Sequence, residues 1–318
     1  MLVSVIIPAY NAQDFIEDCL NSVYNQTYDL SKLEVIVIND GSTDNTAPIL
    51  NRLQKRRGFI LKHTSNKGAS AAREKGRQLS TGDYIQYLDS DDLLMPDKIE
   101  KQVNILKNND GDVAYGAYDL FRIIENGEAK MVRTVYPKRL NDSIEIDTIL
   151  SFWLPPAALM YSRRIVDKIG SWHPNLPVTQ DARYLQEAAF RGGRFLETKG
   201  IVAKKLIFRE DALSNINKTQ YHKDILMNAT EIFELWKDNL TTERKEALMQ
   251  VFSQSARSLI ELDKDSFRLA VKYLKILSGN KRYIPKQPKS LNIVSKMIGY
   301  ENAERIALFI RKTKLSLK

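Results

Sequence analysis

The chain has 318 residues, of which 43% are hydrophobic and 27% charged, and carries a formal net charge of +9. That length suits two domains, and the composition is that of an ordinary folded protein, not a disordered one. A single cysteine, Cys19, excludes an intrachain disulfide, and no apolar run approaches the ~18 residues of a membrane-spanning helix.

The first half alternates strand and helix. Val3–Ile7 reads as a short buried strand and is followed by Pro8-Ala9-Tyr10-Asn11. Phe15, Cys19, Leu20 and Val23 recur at helical spacing, which predicts an amphipathic helix over Gln13–Asn25 with Cys19 in its core face. Glu34–Ile38 is a second apolar strand ending at Asn39-Asp40-Gly41-Ser42. Thr43-Asp44-Asn45 then offers caps for a helix to about Lys55. Phe59–Thr64 is a third strand, Gly68–Gln78 a third helix and Asp83–Leu88 a fourth strand, which delivers Asp89, Asp91 and Asp92 to one turn. Like charges that close repel, and oxygen-only ligation by carboxylates, ligand phosphates and water suits Mg²⁺ or Mn²⁺. A solvated turn capping the next helix is the competing reading.

Near-continuous apolar strands separated by helices predict a mostly parallel α/β sheet with helices on both faces, whose ligands bind beyond the carboxyl ends of the strands. Neither the Gly-x-Gly-x-x-Gly nor the Gly-x4-Gly-Lys-Ser/Thr phosphate loop is present, which argues against a dinucleotide dehydrogenase or a P-loop NTPase. The middle of the chain is more mixed. A helix runs from Pro96 to about Leu106, and strands Asp112–Ile124 and Met131–Val135 flank an Asn126-Gly127 turn. Phe152-Trp153-Leu154-Pro155-Pro156 is an aromatic, proline-stiffened loop. Ala157–Tyr161 is a strand, Arg164–Ile169 a helix closed by Gly170, Thr179–Arg191 a helix, and Ile201–Phe208 the last strand. Beyond about Asn215 the pattern turns helical, dividing the chain into residues 1–215 and 216–318. Tyr221–Lys237, Thr242–Asp263 and Asp265–Leu277 form helices, and one or two basic amphipathic helices close the chain.

Four motifs occur in register. They are Val3-Ser4-Val5-Ile6-Ile7-Pro8-Ala9-Tyr10-Asn11, Asn39-Asp40-Gly41-Ser42-Thr43-Asp44, Asn66-Lys67-Gly68 with Ala72-Arg73, and Leu88-Asp89-Ser90-Asp91-Asp92. Together they resemble the family 2 inverting glycosyltransferases of the GT-A fold, some of which serve bacterial cell-surface polysaccharide and teichoic acid synthesis. The resemblance covers roughly Val3 to Ser214, with a helical region appended.

The resemblance implies a nucleotide-sugar donor, with UDP the family's commonest nucleotide. Pro8, Ala9, Tyr10 and Asn11 would lie against the nucleobase, and Asp40 would accept a base N–H. Asn66, Gly68 and Arg73 would approach the donor's base or diphosphate. Asp89, with Ser90, would contact the ribose, and Asp91 would ligate the metal. Asp181, at the start of a late helix and ahead of Arg191-Gly192-Gly193, matches the family's general base. Gln180 stands where members carry the first acid of Glu-Asp and would bear on the acceptor. The family's histidine after the last strand is missing, and Arg209 takes its place as a cation for the diphosphate. Trp153 is a candidate to stack on an acceptor sugar. Competing structural readings remain: an Asx turn at Asp40-Gly41, a surface Arg73, and Asp181 as a helix cap. His63, His173 and His222 read as structural.

The tail has its own character. From Arg268 to Lys318, thirteen basic residues face only Glu301 and Glu304, leaving about −2 for everything before. Lys296, Arg305, Arg311, Lys312, Lys314 and Lys318 interleave with Ile306, Phe309, Ile310 and Leu315. Such a face fits an anionic membrane, an anionic polymer such as teichoic acid, or a second subunit, and a solvated helix is the plain alternative. Nucleic acid is disfavoured because no binding motif accompanies the charge. The expected location is cytoplasmic, with peripheral contact on the inner face of the cell membrane. Three functions follow: a metal-dependent glycosyltransferase acting on a cell-surface glycan, teichoic acid or lipid-linked acceptor; a nucleotidyltransferase of similar fold; or a non-catalytic sugar-nucleotide-binding protein.

Overall fold

The computed structural model describes residues 1–123, 128–141, 143–207, 218–279, 283–285 and 288–316. The chain forms two compact units, Met1–Ala212 and Leu213–Lys318.

The first unit is built on a nine-stranded sheet. Its strands are β1 (Val3–Ala9), β2 (Leu33–Asp40), β3 (Ile60–Thr64), β4 (Tyr84–Tyr87), β5 (Leu93–Leu94), β6 (Val113–Ile123), β7 (Ala129–Val135), β8 (Leu159–Ser162) and β9 (Phe195–Leu206). The order across the sheet is β3-β2-β1-β4-β8-β6-β9-β5, with β7 paired to β6. The helices of this unit are α1 (Ile16–Tyr24), α2 (Thr46–Arg57), α3 (Ala69–Leu79), α4 (Lys98–Asn108), α5 (Ile144–Leu150), α6 (Arg163–Ile169) and α7 (Gln180–Phe190).

β1 pairs in parallel with both β2 and β4, and β2 with β3. Val5, Ile6 and Ile7 are all fully buried. Because successive side chains point to opposite faces of a strand, both faces of the sheet must be covered there. The chain moves outward from β1 through β2 to β3 and then returns to the other side of β1 as β4. The reversal of order therefore lies between β1 and β4, and an open α/β sheet offers its binding crevice at that point.

The second half of the sheet is mixed, with β8 antiparallel to β4 and to β6, and β9 parallel to β6. Here the structure departs from the elements expected. β5 and α5 were not anticipated: two residues are too few to show a period, and Ile144–Leu150 makes only two helical turns. Ala157 and Ala158 belong to a short 3₁₀ turn ahead of β8. β9 begins at Phe195, six residues before the expected start. Thr198-Lys199-Gly200 reads as a turn but is an irregularity within the strand, where Gly200 takes φ +89° and the register against β6 shifts. α1 starts at Ile16, because Gln13 is drawn into hydrogen bonds with Asp44 and Asn45. The Asn126-Gly127 turn lies outside the described residues.

Three buried polar side chains fix the segment that follows Trp153. Lys98 of α4 is fully buried, and its ammonium donates to Leu159 O at 2.9 Å. Gln102 donates to Ala158 O at 3.2 Å, and Gln86 of β4 to Pro156 O at 3.1 Å. Carbonyls of the turn leading into β8 and of its first residue, Leu159, are satisfied in this way.

The second unit is helical: α8 (Lys218–Trp236), α9 (Thr242–Leu262), α10 (Lys264–Leu277), α11 (Lys289–Ile298) and α12 (Tyr300–Ser316). Thr241 caps α9 and Asp263 caps α10 through their side chains. Phe252 stacks on Tyr273 with ring centroids 4.9 Å apart, and Phe267 and Trp236 are buried in the same unit. No helix among the described residues is long and apolar enough to cross a membrane.

Candidate active site

The loops that leave β1 and β2 are stitched together. Asn11, at φ 47°, accepts from Thr43 N at 2.8 Å, while its own N–H donates to Ser42 Oγ at 3.0 Å. Asn39 accepts from Ser42 Oγ at 2.6 Å and meets His63 Nδ1 at 2.9 Å, which gives His63 a structural place. Tyr10 extends from this frame with 48% of its surface exposed, an aromatic ring at the mouth of the crevice.

Asp40 is 3% exposed and organises the next loop. Its carboxylate accepts from Thr64 Oγ1 at 3.1 Å, Lys67 N at 3.0 Å and Gly68 N at 2.8 Å. The expected alternative, a local Asx turn into Gly41, is not what forms. Asp40 instead reaches across to the chain between β3 and α3. A carboxylate has about four lone-pair positions, so this set leaves room for one more donor. Asn66 also accepts from Gly68 N, at 3.2 Å. Gly41, at φ 72°, is required by this approach, since a Cβ there would lie 2.6 Å from Asn66 N.

Arg73, one turn into α3, is 4% exposed and not a surface residue. Its guanidinium lies 4.9 Å from the centroid of Trp172 and pairs with Asp89 at 2.5 Å. Trp172 in turn stacks on Tyr184 at 4.2 Å and meets Tyr87 edge-on at 4.8 Å. Arg73 Nε and Nη1 have no hydrogen-bond partner. Burial works against the Arg73 charge, but Asp89 and Asp181 outweigh it. Arg73 therefore holds Asp89 from beneath. Burial would raise the Asp89 carboxyl, yet Arg73 and Lys205 hold it below the usual range, so it is ionised.

The acidic turn follows β4. Asp89, Ser90 and Asp91 are part-exposed, whereas Asp92 is fully buried. Asp92 Oδ1 accepts from Leu206 N at 3.0 Å, and Lys205 Nζ lies 3.7 Å from Oδ2. The antiparallel pairing of β5 with β9, Leu93 opposite Lys204, produces this meeting. Burial, with Asp91 and Asp89 adding to it, pushes the Asp92 carboxyl up to about 8 against the opposing pull of Lys205.

Asp181 sits in the first turn of α7. Thr179 holds the N-cap position, so Asp181 is not the cap. Its Oδ1 accepts from Ala182 N at 2.8 Å and its Oδ2 from the Trp153 indole N–H at 3.2 Å. Burial raises the carboxyl above the ordinary carboxylate range; Arg73 opposes the rise and Asp89 adds to it. Trp153, 41% exposed, is thus bonded to Asp181. Gln180 is 5% exposed, and its Oε1 has no hydrogen-bond partner. Arg209 lies outside the described residues.

Asp40 at the end of β2, Arg73 and Asp181 near the starts of α3 and α7, and Asp89 and Asp91 in the turn after β4 thus gather around the β1–β4 reversal. Two members of the constellation carry no sequence signal, Lys205 and Trp172. Among the described residues no three His, Cys, Asp or Glu side chains converge closely enough to hold a metal ion. Asp89 is engaged by Arg73 and Asp92 by Leu206. The hard oxygen of part-exposed Asp91 fits Mg²⁺ or Mn²⁺ as one ligand, to be completed by a bound phosphate and water.

The family model described as "Glycosyl transferase family 2" matches residues 4–170, just over half of the chain. An "Uncharacterized glycosyltransferase" of Haemophilus influenzae is 38% identical over 135 residues, covering 42% of this chain and 53% of that protein. The "Putative teichuronic acid biosynthesis glycosyltransferase TuaG" of Bacillus subtilis is 39% identical over 121 residues, 37% of this chain and 47% of that one. The chain spans about half, or less, of the length of these relatives. Among solved structures, S. aureus TarS 1-349 in complex with UDP-GlcNAc superposes with a TM-score of 0.58 at 15% identity, over 89% of this chain and 93% of that one. Mannosyltransferase PcManGT from Pyrobaculum calidifontis, in complex with GDP-Man and Mn²⁺, gives 0.56 at 17% identity, over 96% and 86%. At such identities the likeness is one of fold.

Proposed function

The chain belongs to glycosyl transferase family 2, and from that premise we propose that it moves a sugar, with inversion, from a nucleoside-diphosphate donor to an acceptor hydroxyl. The observation that carries this reading is the meeting of Asp181, Asp89, Arg73 and the acidic turn at the reversal point of the sheet. In its favour as a base, Asp181 has a raised pKa, two defined hydrogen bonds and a place at the mouth of the site.

Tyr10 offers a face for the nucleobase, and Asp40 has room for one base N–H beside its three loop donors. Asp89, oriented by Arg73, takes the ribose with Ser90. Asp91 would hold a divalent cation together with the donor's phosphates, and such an ion supplies charge neutralisation worth several kcal/mol at the leaving diphosphate. The acceptor oxygen attacks the anomeric carbon from the face opposite the diphosphate and gives its proton to Asp181. The bond from the anomeric carbon to phosphate oxygen breaks with its electron pair leaving on the diphosphate. One displacement inverts the centre and needs no protein nucleophile. The donor is a UDP-sugar and the acceptor a cell-surface glycan, teichoic acid or lipid-linked hydroxyl. UDP-GlcNAc in the TarS complex and the teichuronic acid description of the TuaG relative support that choice.

The test is a panel of nucleotide sugars with Mn²⁺ and candidate acceptors, read as nucleoside diphosphate released. Release of pyrophosphate would instead indicate a nucleotidyltransferase, and binding without turnover a non-catalytic protein. Asp181→Asn should lower kcat by about 10²–10⁴-fold while leaving UDP affinity by calorimetry nearly unchanged. Normal transfer by that variant would remove Asp181 from the mechanism.

A further inference from the structure

Lys205, the penultimate residue of β9, brings a positive charge to the acidic turn. The pairing of β5 with β9 sets Asp92 beside Lys205 and Leu206. Asp92 is fully buried, and its Oδ2 has no hydrogen-bond partner. Lys205 Nζ lies 3.7 Å from that oxygen, too far for a hydrogen bond but close enough for an ion pair. The Lys205 side chain is 25% exposed, and its ammonium donates no hydrogen bond to the described residues. Burial opposes its charge, but Asp92, Asp89, Asp91 and Asp181 together outweigh burial and hold it protonated.

Four carboxylates in one field need compensation. Arg73 is spent on Asp89, with which it forms a tight buried pair. Among the described residues Lys205 is the second cation, reaching the cluster on a flexible stem with no hydrogen bond donated to them. A divalent cation approaching the donor-free site meets this ammonium's repulsion. It also finds Asp89 engaged by Arg73 and Asp92 by Leu206. A bound diphosphate alters both conditions: its oxygens supply further ligands, and its charge gives the ammonium another partner.

We infer that Lys205 is the built-in counter-ion of the acidic turn, and that it makes divalent-cation binding conditional on the donor's diphosphate. This rests on the reading of Asp91 as a metal ligand shared with the donor. Linkage requires the effect to be reciprocal, so whatever Lys205 adds to the dependence of metal on nucleotide it adds equally to that of nucleotide on metal.

The full chain is titrated with Mn²⁺, following the electron paramagnetic resonance signal of free Mn²⁺, with and without UDP. Wild-type protein should bind Mn²⁺ weakly alone and much more tightly with UDP. Lys205→Met should bind Mn²⁺ without UDP at least about tenfold more tightly than wild type, as expected when a unit positive charge leaves a site a few ångström across. The enhancement by UDP should shrink by the same factor. Lys205→Arg, which keeps the charge, should behave as wild type, and Lys205→Gln supplies a second neutral variant if methionine impairs folding by circular dichroism. Neutral variants with unchanged donor-free Mn²⁺ affinity would overturn the inference. So would wild-type protein that binds Mn²⁺ equally with and without UDP. If no form binds Mn²⁺ even with UDP, the failure lies instead with metal-dependent donor binding itself.

Discussion

Replacing Trp153 with phenylalanine tests how Asp181 is tuned. The indole N–H donates to Asp181 Oδ2 at 3.2 Å, while Oδ1 is held by Ala182 N at 2.8 Å. A well-made hydrogen bond to a charged group contributes about 1.5–3 kcal/mol. At this length, and with Trp153 41% exposed, the lower end discounted for solvent is about 1 kcal/mol. At about 1.4 kcal/mol per factor of ten, the loss should weaken the ionised form of Asp181 relative to the protonated one by roughly fivefold. The sign follows from which form the bond favours. The indole stabilises the ionised carboxylate, so its removal raises a pKa that burial has already lifted. A smaller fraction of the base is then ionised at any pH on the acid side. The acid limb of kcat/KM for the acceptor should move to higher pH, and the rate should approach wild type well above the limb. Nucleoside diphosphate release measured across pH reads this directly. Had Trp153 served only to stack on an acceptor sugar, phenylalanine would preserve the ring and leave the limb in place. Trp153→Ala would then raise the acceptor KM equally at every pH. An acid limb that stays put in both variants would refute the hydrogen-bond argument.

Lys98 predicts a stability effect away from the chemistry. It is fully buried with one hydrogen bond, and burial holds its ammonium well below the usual lysine range. The unfolded chain then binds more protons than the folded one, so stability is lost as pH falls below the unfolded lysine value near 10.4, at up to about 1.4 kcal/mol per pH unit. Lys98→Met should therefore raise the urea midpoint at neutral pH, with the advantage shrinking towards pH ~10; equal midpoints throughout would sink the argument. In the second unit, Ile293, Met297 and Phe309 are 60%, 74% and 68% exposed within a strongly basic segment. Full-length protein should cosediment with anionic vesicles but not neutral ones, and Phe309→Ser should weaken this by roughly threefold to tenfold. Wild type that ignores both kinds of vesicle would retire the membrane surface.

The parallel half of the sheet was legible because its strands are buried on both faces and read as near-continuous apolar runs, Val3–Ile7 with only Ser4 polar and Val35–Ile38 among them. Their ends carry short polar motifs whose spacing survives in one dimension, and through them Asp40, Arg73 and Asp89 could be nominated together, while Asp181 came from the resemblance at the start of a later helix. What those residues touch was not legible. Arg73 gave no sign of lying on Trp172, since the two are brought together only by the packing of α3 against the segment after α6. Trp153 was nominated as an aromatic residue of a Pro-rich loop, and its N–H contact with Asp181 depends on that loop meeting the start of α7. Lys205 follows Lys204 near the end of a strand, a pair that in sequence reads as a solvated edge. Its meeting with Asp92 depends on a two-residue strand, Leu93–Leu94, too short to announce itself. The family's histidine after the last strand is absent from this chain and Arg209 was nominated in its stead, while Lys205 of β9 went unnoticed.

The charges now fit a consistent account. Among the described residues four carboxylates, Asp89, Asp91, Asp92 and Asp181, face two cations, Arg73 and Lys205, and burial pushes the Asp92 carboxyl up against the pull of Lys205. Arg73 and Lys205 thus set the charge of the donor-free cluster against these carboxylates. A sugar nucleotide's diphosphate and a divalent cation are opposite and equal, and entering together they leave that balance unchanged. Either one alone would shift it by two charges in a site where burial makes imbalance costly. Transfer itself conserves the total: Asp181 loses its negative charge to the acceptor's proton as the departing diphosphate gains one. Arg73, tied to Asp89, and Lys205, tied loosely to Asp92, therefore face a charge that moves without changing in amount. Because Lys205 donates no hydrogen bond to the described residues, it is the one able to follow that charge.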